Sequence, residues 1–285
     1  VDDNVSVFAN TGYVEKPPIM DNVIYYDGTV ASDPSNESFI SSEAGINFST
    51  ENVAVKVSAY NTDWKDRNLT KAVTTGQGDS GDTDVIFLKG IGQKHQGLEI
   101  EGSMKLNDMI RLDGAVSFGK WKFDGDADGL YTEYAEDAPV QTPYTYTLDG
   151  LYVGDQPQTA YVLGTTLTPM DGLRLQGIFK MYDKNYADWS PDSRELSGDA
   201  DRTQVWQAPG YNRLDLHASY KLPKIAGYDM TLTGHVFNAL DAVYVQDAVD
   251  NSQYNGFGDK MHLPHNAEVF LGTPRYANIG LVVNF

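Results

Sequence analysis

Asp124-Gly125-Asp126-Ala127-Asp128-Gly129 has the spacing in which alternating carboxylates converge on a hard cation, and calcium is the ion that such an oxygen set suits. The twelfth position of this loop is Ala135, where a calcium loop carries a bidentate glutamate, so Asp124, Asp126 and Asp128 make an incomplete set. From Asp124 to Pro157 the chain also holds Glu133, Glu136, Asp137, Asp149 and Asp155 without a lysine or arginine, and a solvated acidic loop accounts for the same residues. His262 and His265 stand at HxxH spacing, but no helix or third ligand accompanies them, and they read as ordinary loop histidines. His217 and His235 fall on the polar faces of strands and need no further role. Tyr25, Tyr26, Tyr131, Tyr134, Trp189, Trp206, Tyr254 and Phe257 lie in connectors, where they either clamp a ligand by stacking or pack the loops together. The chain has no nucleophile elbow, phosphate loop or dinucleotide fingerprint, and its reading is not that of an enzyme.

The totals narrow the classes. Twenty-one Lys and Arg stand against 40 Asp and Glu, a formal charge of -19, which disfavours a nucleic-acid partner. There is no cysteine, so disulfides, thiolate metal sites and cysteine nucleophiles are excluded together. No apolar run approaches the roughly 18 residues of a membrane-spanning helix. A mean hydropathy of -0.41 still admits a membrane barrel, whose strands cross in about ten residues and hide their signal in alternation.

Period-two alternation recurs along the chain. It is clearest at the end, where Ala277, Ile279, Leu281, Val283 and Phe285 alternate with Tyr276, Asn278, Gly280, Val282 and Asn284. Earlier strands are read at Val5–Ala9, Glu43–Phe48, Val53–Trp64, Leu98–Leu106, Ile110–Gly119, Tyr161–Leu167, Leu173–Tyr182, Arg213–Leu222 and Met230–Phe237. Keeping apolar beside apolar requires Leu106 to face Ile110 across a three-residue loop, Asn107 to Met109, which sets Lys105 opposite Arg111 with Asp113 nearby to relieve the repulsion. Lys65 to Asp84 and Asp124 to Pro157 read as long connectors. The expected fold is therefore all-β: an antiparallel transmembrane barrel segment of about ten strands, with short turns at one end and long loops at the other. The opposite face carries Glu99, Glu101, Arg111, Asp113, Arg174, Lys180, Arg213 and Asp215 with both signs interleaved, as a wet or ion-paired surface would. Trp64, Trp121, Tyr182 and Trp189 near strand ends suit an interfacial aromatic girdle.

Several stretches carry a resemblance. Phe8-Ala9-Asn10-Thr11-Gly12-Tyr13-Val14-Glu15-Lys16-Pro17-Pro18-Ile19-Met20-Asp21 resembles a strand-then-proline segment in the barrels of TonB-dependent outer-membrane receptors. Asn36-Glu37-Ser38, Ser42-Glu43-Ala44-Gly45 and Tyr60-Asn61-Thr62-Asp63-Trp64-Lys65-Asp66-Arg67 are similar to the following hairpin, and Gly97-Leu98-Glu99-Ile100-Glu101-Gly102 to a later strand. Phe237-Asn238-Ala239-Leu240-Asp241 and Phe270-Leu271-Gly272-Thr273-Pro274-Arg275 resemble the approach to the closing strand, and Phe285 matches the terminal aromatic read by barrel-assembly machinery. The resemblance implies that residues 1–285 are one incomplete domain, the C-terminal half of such a barrel, with the plug that contacts TonB absent. It implies the outer membrane of a Gram-negative bacterium, contact with its lipid, and TonB-energised uptake of a scarce ligand: siderophore, vitamin, glycan or peptide. Two other readings stand beside it, a self-contained ten-stranded porin or barrel enzyme and a soluble glycan-binding sandwich.

Overall fold

The computed structural model describes residues 3–20, 23–24, 28, 30, 34–75, 82–134, 139–191, 194, 201–224, 227–252 and 261–284. Among the described residues sixteen strands run in chain order: β1 Val5–Lys16, β2 Glu37–Ser49, β3 Val53–Thr75, β4 Asp82–Lys105, β5 Ile110–Phe123, β6 Ala127–Tyr134, β7 Pro139–Tyr146, β8 Thr159–Met170, β9 Leu173–Asp183, β10 Asn185–Tyr186, β11 Gln207–Ala208, β12 Tyr211–Lys221, β13 Asp229–Phe237, β14 Val245–Val249, β15 Glu268–Leu271 and β16 Tyr276–Asn284. Ten of them form one antiparallel wall in the order β1-β2-β3-β4-β5-β8-β9-β12-β13-β16, while β6 and β7 are added beside the upper part of β4. Among the described residues β1 and β16 each pair on one side, and the wall is not closed.

The alternation dictates which face goes where. Val7, Ile46, Val57, Ile100 and Val116 are register partners in turn across β1 to β5, and Leu98 and Phe118 form the next rung. Val7, Ile46, Ile100, Leu98, Leu163, Leu175, Leu216 and Leu232 are exposed as large apolar side chains. A coherent apolar belt on one face, on the order of 25 Å tall, is what a lipid-facing wall requires. It stops abruptly: the next outward rungs are Asn61, Gln96 and Lys120, with Gln96 donating to Asn61 at 2.9 Å, then Asp63, Lys94 and Lys122. Above that line β3 and β4 continue as 23- and 24-residue strands, with Ile86, Leu88 and Ile91 of β4 buried under the loops and no lipid belt on the other face. The connectors read at Lys65–Asp84 and Asp124–Pro157 are thus corrected, the first to the extension of this hairpin and the second to one holding β6 and β7. Their alternation is lost because no apolar medium selects one face.

The turns sort by end. Those after β2, β4, β8 and β12 lie at one end, and the connectors after β1, β5, β9 and β13 at the other. The β4–β5 turn has the expected register, since the Leu106 amide bonds the Ile110 carbonyl at 2.9 Å and Lys105 faces Arg111. Their repulsion is relieved by two carboxylates, Asp113 holding Arg111 at 2.7 Å and Asp108 holding Lys105 at 2.9 Å. Asn107 closes the turn by accepting from the Met109 and Ile110 amides, each at 2.9 Å.

On the inner face aromatics lie over glycines. Tyr60 of β3 covers its register partner Gly97 of β4, and a Cβ added at Gly97 would meet the Tyr60 ring at 2.5 Å. Replacing Gly97 by valine is therefore expected to displace Tyr60 and cost about 1–3 kcal/mol as an overpacked site. Heat-modifiable mobility of the intact protein in detergent measures it, with the variant expected to lose its compact band at a lower temperature.

Candidate ligand surface of the inner wall and outer loops

The inner wall near the outer rim is assembled from four strands, β2 to β5, of matched parity. Ser41, Thr62, His95 and Trp121 form one rung, with Glu43 and Tyr60 on the rung below. Trp121 donates its indole N–H to the Tyr60 hydroxyl at 2.8 Å and stacks on His95 with ring centroids 5.4 Å apart. Phe39 and Trp64, 4.5 Å apart, stand one rung higher. Together with Lys56, Glu43 and Glu99 these side chains line a cavity of about 630 Å³. Its mixture of stacking surfaces and charges of both signs suits an amphipathic ligand. The girdle reading of the sequence is corrected here: Trp64 and Trp121 face inward, Tyr182 packs against Tyr211 at 5.1 Å, and Trp189 is buried among the loops.

The buried apolar cluster lies in the outer-loop layer. Ile86, Leu88 and Ile91 of β4, Phe123 of β5, Ala127 of β6, Tyr146 of β7, Leu148, Leu151, Tyr186, Trp189 and Val205 form it. Trp189 is 4% exposed and meets Phe123 edge-on at 6.0 Å, so it is a packing residue inside the layer. Tyr131 packs against the same cluster and meets Tyr144 at 6.3 Å. Trp206 is partly buried, held by its amide on Asp250 and its carbonyl on the Ala187 amide. Tyr134 belongs to β6, its side chain outside the description, and Tyr25, Tyr26, Tyr254, Phe257 and Phe285 lie outside the described residues.

The acidic stretch does not gather around one point. Both Asp126 oxygens take Arg202, at 3.0 and 2.7 Å, and one also accepts the Leu148 and Asp149 amides. The Arg202 hydrogen bond holds the Asp126 carboxyl below its ordinary range. Asp128 accepts from Thr145 at 3.2 Å and Asp124 stands 3.8 Å from Lys94. A calcium ion at Asp124, Asp126 and Asp128 would have to displace Arg202, and among the described residues no group of three or more His, Asp or Glu is arranged to hold a metal. Nothing in the acidic run itself announces this partner, which is 76 residues away.

A second cluster ties the loops together. Arg194 and Asp250 are fully buried and lie 3.3 Å apart. Arg194 also donates to the Thr203 carbonyl at 2.6 Å, and His262 bonds Asp250 through Nδ1 and Asp201 through Nε2, the latter at 2.7 Å. His262 is therefore a buried ionic member of this knot, whereas the sequence offered it as an ordinary loop residue. Burial alone would lower its pKa, but hydrogen bonds to Asp250 and Asp201 outweigh it and raise the imidazole above its ordinary range. For Asp201 burial raises and the bond to His262 lowers, the net direction being down.

Three of the connectors thus meet over a wall whose geometry matches known proteins. The TonB dependent receptor-like β-barrel family model matches residues 1–239. The chain belongs to that family. Solved structures of similar fold include the ferric-catecholate import receptor Fiu from K12 E. coli, with a TM-score of 0.60, 14% identity, and coverage of 100% of this chain and 34% of that one. The copper transporter OprC aligns with a TM-score of 0.65 at 14% identity over 99% of this chain and 37% of its own. A mutant ferric enterobactin receptor, PfeA from Pseudomonas aeruginosa, gives 0.64 at 14% identity, over 100% of this chain and 39% of its own. This chain spans about a third of the length of these solved receptors. A search of curated proteins gave no match.

The sign of the pH dependence follows from the two shifts. The raised His262 contributes stability that is present at acid pH and lost as pH rises through its raised value. The lowered Asp201 contributes stability above its unfolded value, lost as pH falls through its lowered one. Hydrogen exchange of the β14 amides in the intact receptor is expected to be slowest between those limits, and His262→Gln to abolish the loss on the alkaline side. Asp250→Asn leaves buried Arg194 with Asp201, 3.8 Å away, as its remaining carboxylate and is expected to weaken the layer locally by about 1–3 kcal/mol, read by the same exchange.

Proposed function

We propose that this chain is the C-terminal part of the barrel of an outer-membrane receptor of a Gram-negative bacterium, and that the complete receptor imports a scarce ligand with energy from TonB. The observation that carries this is the register-matched apolar belt around a charged inner face, with the long connectors all at one end, in a chain of the TonB-dependent receptor barrel family. The edges of β1 and β16 support a domain that extends beyond these ten strands, because unsatisfied backbone groups are costly in lipid. In this reading the belt meets outer-membrane lipid, barrel-assembly machinery inserts the chain at its C-terminal strand, and a plug supplied from elsewhere in the receptor contacts TonB. The cargo belongs to the class of siderophores, vitamins, glycans or peptides. The solved receptors named above are titled for ferric chelates and copper, which favours a metal-bearing cargo. The cavity beneath Trp64 and Trp121 supports a ligand path along this wall.

Uptake of iron-loaded chelates from a panel, compared in cells with and without the gene and with and without TonB, tests the proposal. At least one chelate is expected to lose high-affinity uptake, by tenfold or more, in both deletions. Uptake that depends on the gene but not on TonB would replace it with a passive porin, and a chain that forms a heat-resistant barrel from these residues alone would remove the incomplete domain.

A further inference from the structure

The inner face of the wall carries two histidines that the ligand path and the loop layer leave unused. His217 of β12 and His235 of β13 are direct register partners, and their Nδ1 atoms lie 2.8 Å apart. The rung continues through Gln176 of β9 on one side and Asn278 of β16 on the other, so four nitrogen- or oxygen-bearing side chains stand in line across four strands. Gln176 uses its amide nitrogen on Thr166 at 3.3 Å. Asp215, two residues before His217 on the same face, is already engaged by Lys180 at 2.8 Å and Arg213 at 3.7 Å. Phe237 packs against both imidazoles, with centroids 5.4 Å from His217 and 6.0 Å from His235, and Tyr276 stacks on Phe237 at 4.7 Å, closing one side of the pair.

We infer that His217 and His235 form a chelating pair for a divalent transition-metal ion of the copper(II) or nickel(II) class on the lumenal wall. The distance is the reason. Imidazole nitrogens bind such ions at about 2.0 Å, and two ligands at right angles on one ion are then about 2.8 Å apart, the observed separation. The same 2.8 Å also serves the hydrogen bond of the metal-free pair, and the choice of copper(II) or nickel(II) rests on the donor set, two imidazoles with amide oxygens in the same rung, which suits tetragonal ions. Without metal, one ring donates its Nδ1–H to the bare Nδ1 of the other. On binding, the donor ring carries its proton on Nε2 instead, both Nδ1 lone pairs turn to the ion, and the neutral pair releases no net proton. Two protein ligands leave the remaining positions to water, with the Asn278 and Gln176 amide oxygens beside them in the rung. Such an open, two-histidine site holds its ion exchangeably, unlike a closed structural centre. The inference stands apart from the nature of the imported ligand.

The intact receptor, purified in detergent and stripped with chelator, is titrated with Cu²⁺ alone and followed by electron paramagnetic resonance and equilibrium dialysis. The expected result is a tetragonal copper signal with coupling to two nitrogens, and a tenfold or greater loss of that site's affinity in His217→Gln and in His235→Gln, with His265→Gln unchanged. Phe237→Trp supplies a readout that leaves both histidines in place, its added fluorescence being quenched as the same site fills. Copper binding identical in both histidine variants, or no quenching at Trp-substituted Phe237 while the histidines are intact, overturns the inference and leaves a hydrogen-bonded pair without metal affinity.

Discussion

Backbone pairing in an apolar medium is the constraint on which everything else in this wall depends. Within lipid no water completes an amide or carbonyl, so each strand must take its partners from its neighbours, and the register that results decides which side chains face out. Leu106 opposite Ile110 sets Ile100 beside Val116, and the β3–β4 register sets Val57 beside Ile100 and, on the inward row, Tyr60 over Gly97. The lumenal chemistry is thus a by-product of the same alternation that satisfies the membrane. His217 meets His235, and Lys180 reaches Asp215, because even-numbered spacing keeps them on the wet side across three strands.

Above the belt the governing physics changes. Water can complete backbone groups that have no strand partner, pairing is no longer compulsory, and the chain builds an ordinary buried core from β4, β5, β6, β7 and the segments around Trp189. Charges that would be prohibitive at the lipid face become structural there. Arg194 is held by Asp250, by the Thr203 carbonyl and through His262, an arrangement in which removal of one member leaves another buried without its counterpart.

Legibility in the sequence follows the same boundary. The wall strands and the β4–β5 register could be read from Leu, Ile and Val at alternate positions, since one medium selects one face. The parity of Trp121, which shares a face with Arg111 and Asp113, is also legible in the sequence and points inward, against the girdle that a place near a strand end suggests. The extensions of β3 and β4 and the β6–β7 hairpin carry no such pattern, because both their faces are wet or packed locally. The partner of Asp126 and the setting of His262 depend on contacts 76 and 61 residues distant in the chain, which no local spacing encodes.

The bracing of the outer loops has a consequence for how such a surface changes over generations. Arg194 and Asp201 come from one connector, Asp250 and His262 from another, and Asp126 with Arg202 joins a third. A substitution in any one of them alters the footing of the other two, so the shape of the loop layer is inherited as a unit. A new loop surface would then arise by replacing whole sets of residues together, or at exposed positions that hang free of the brace, rather than by drift in a single loop.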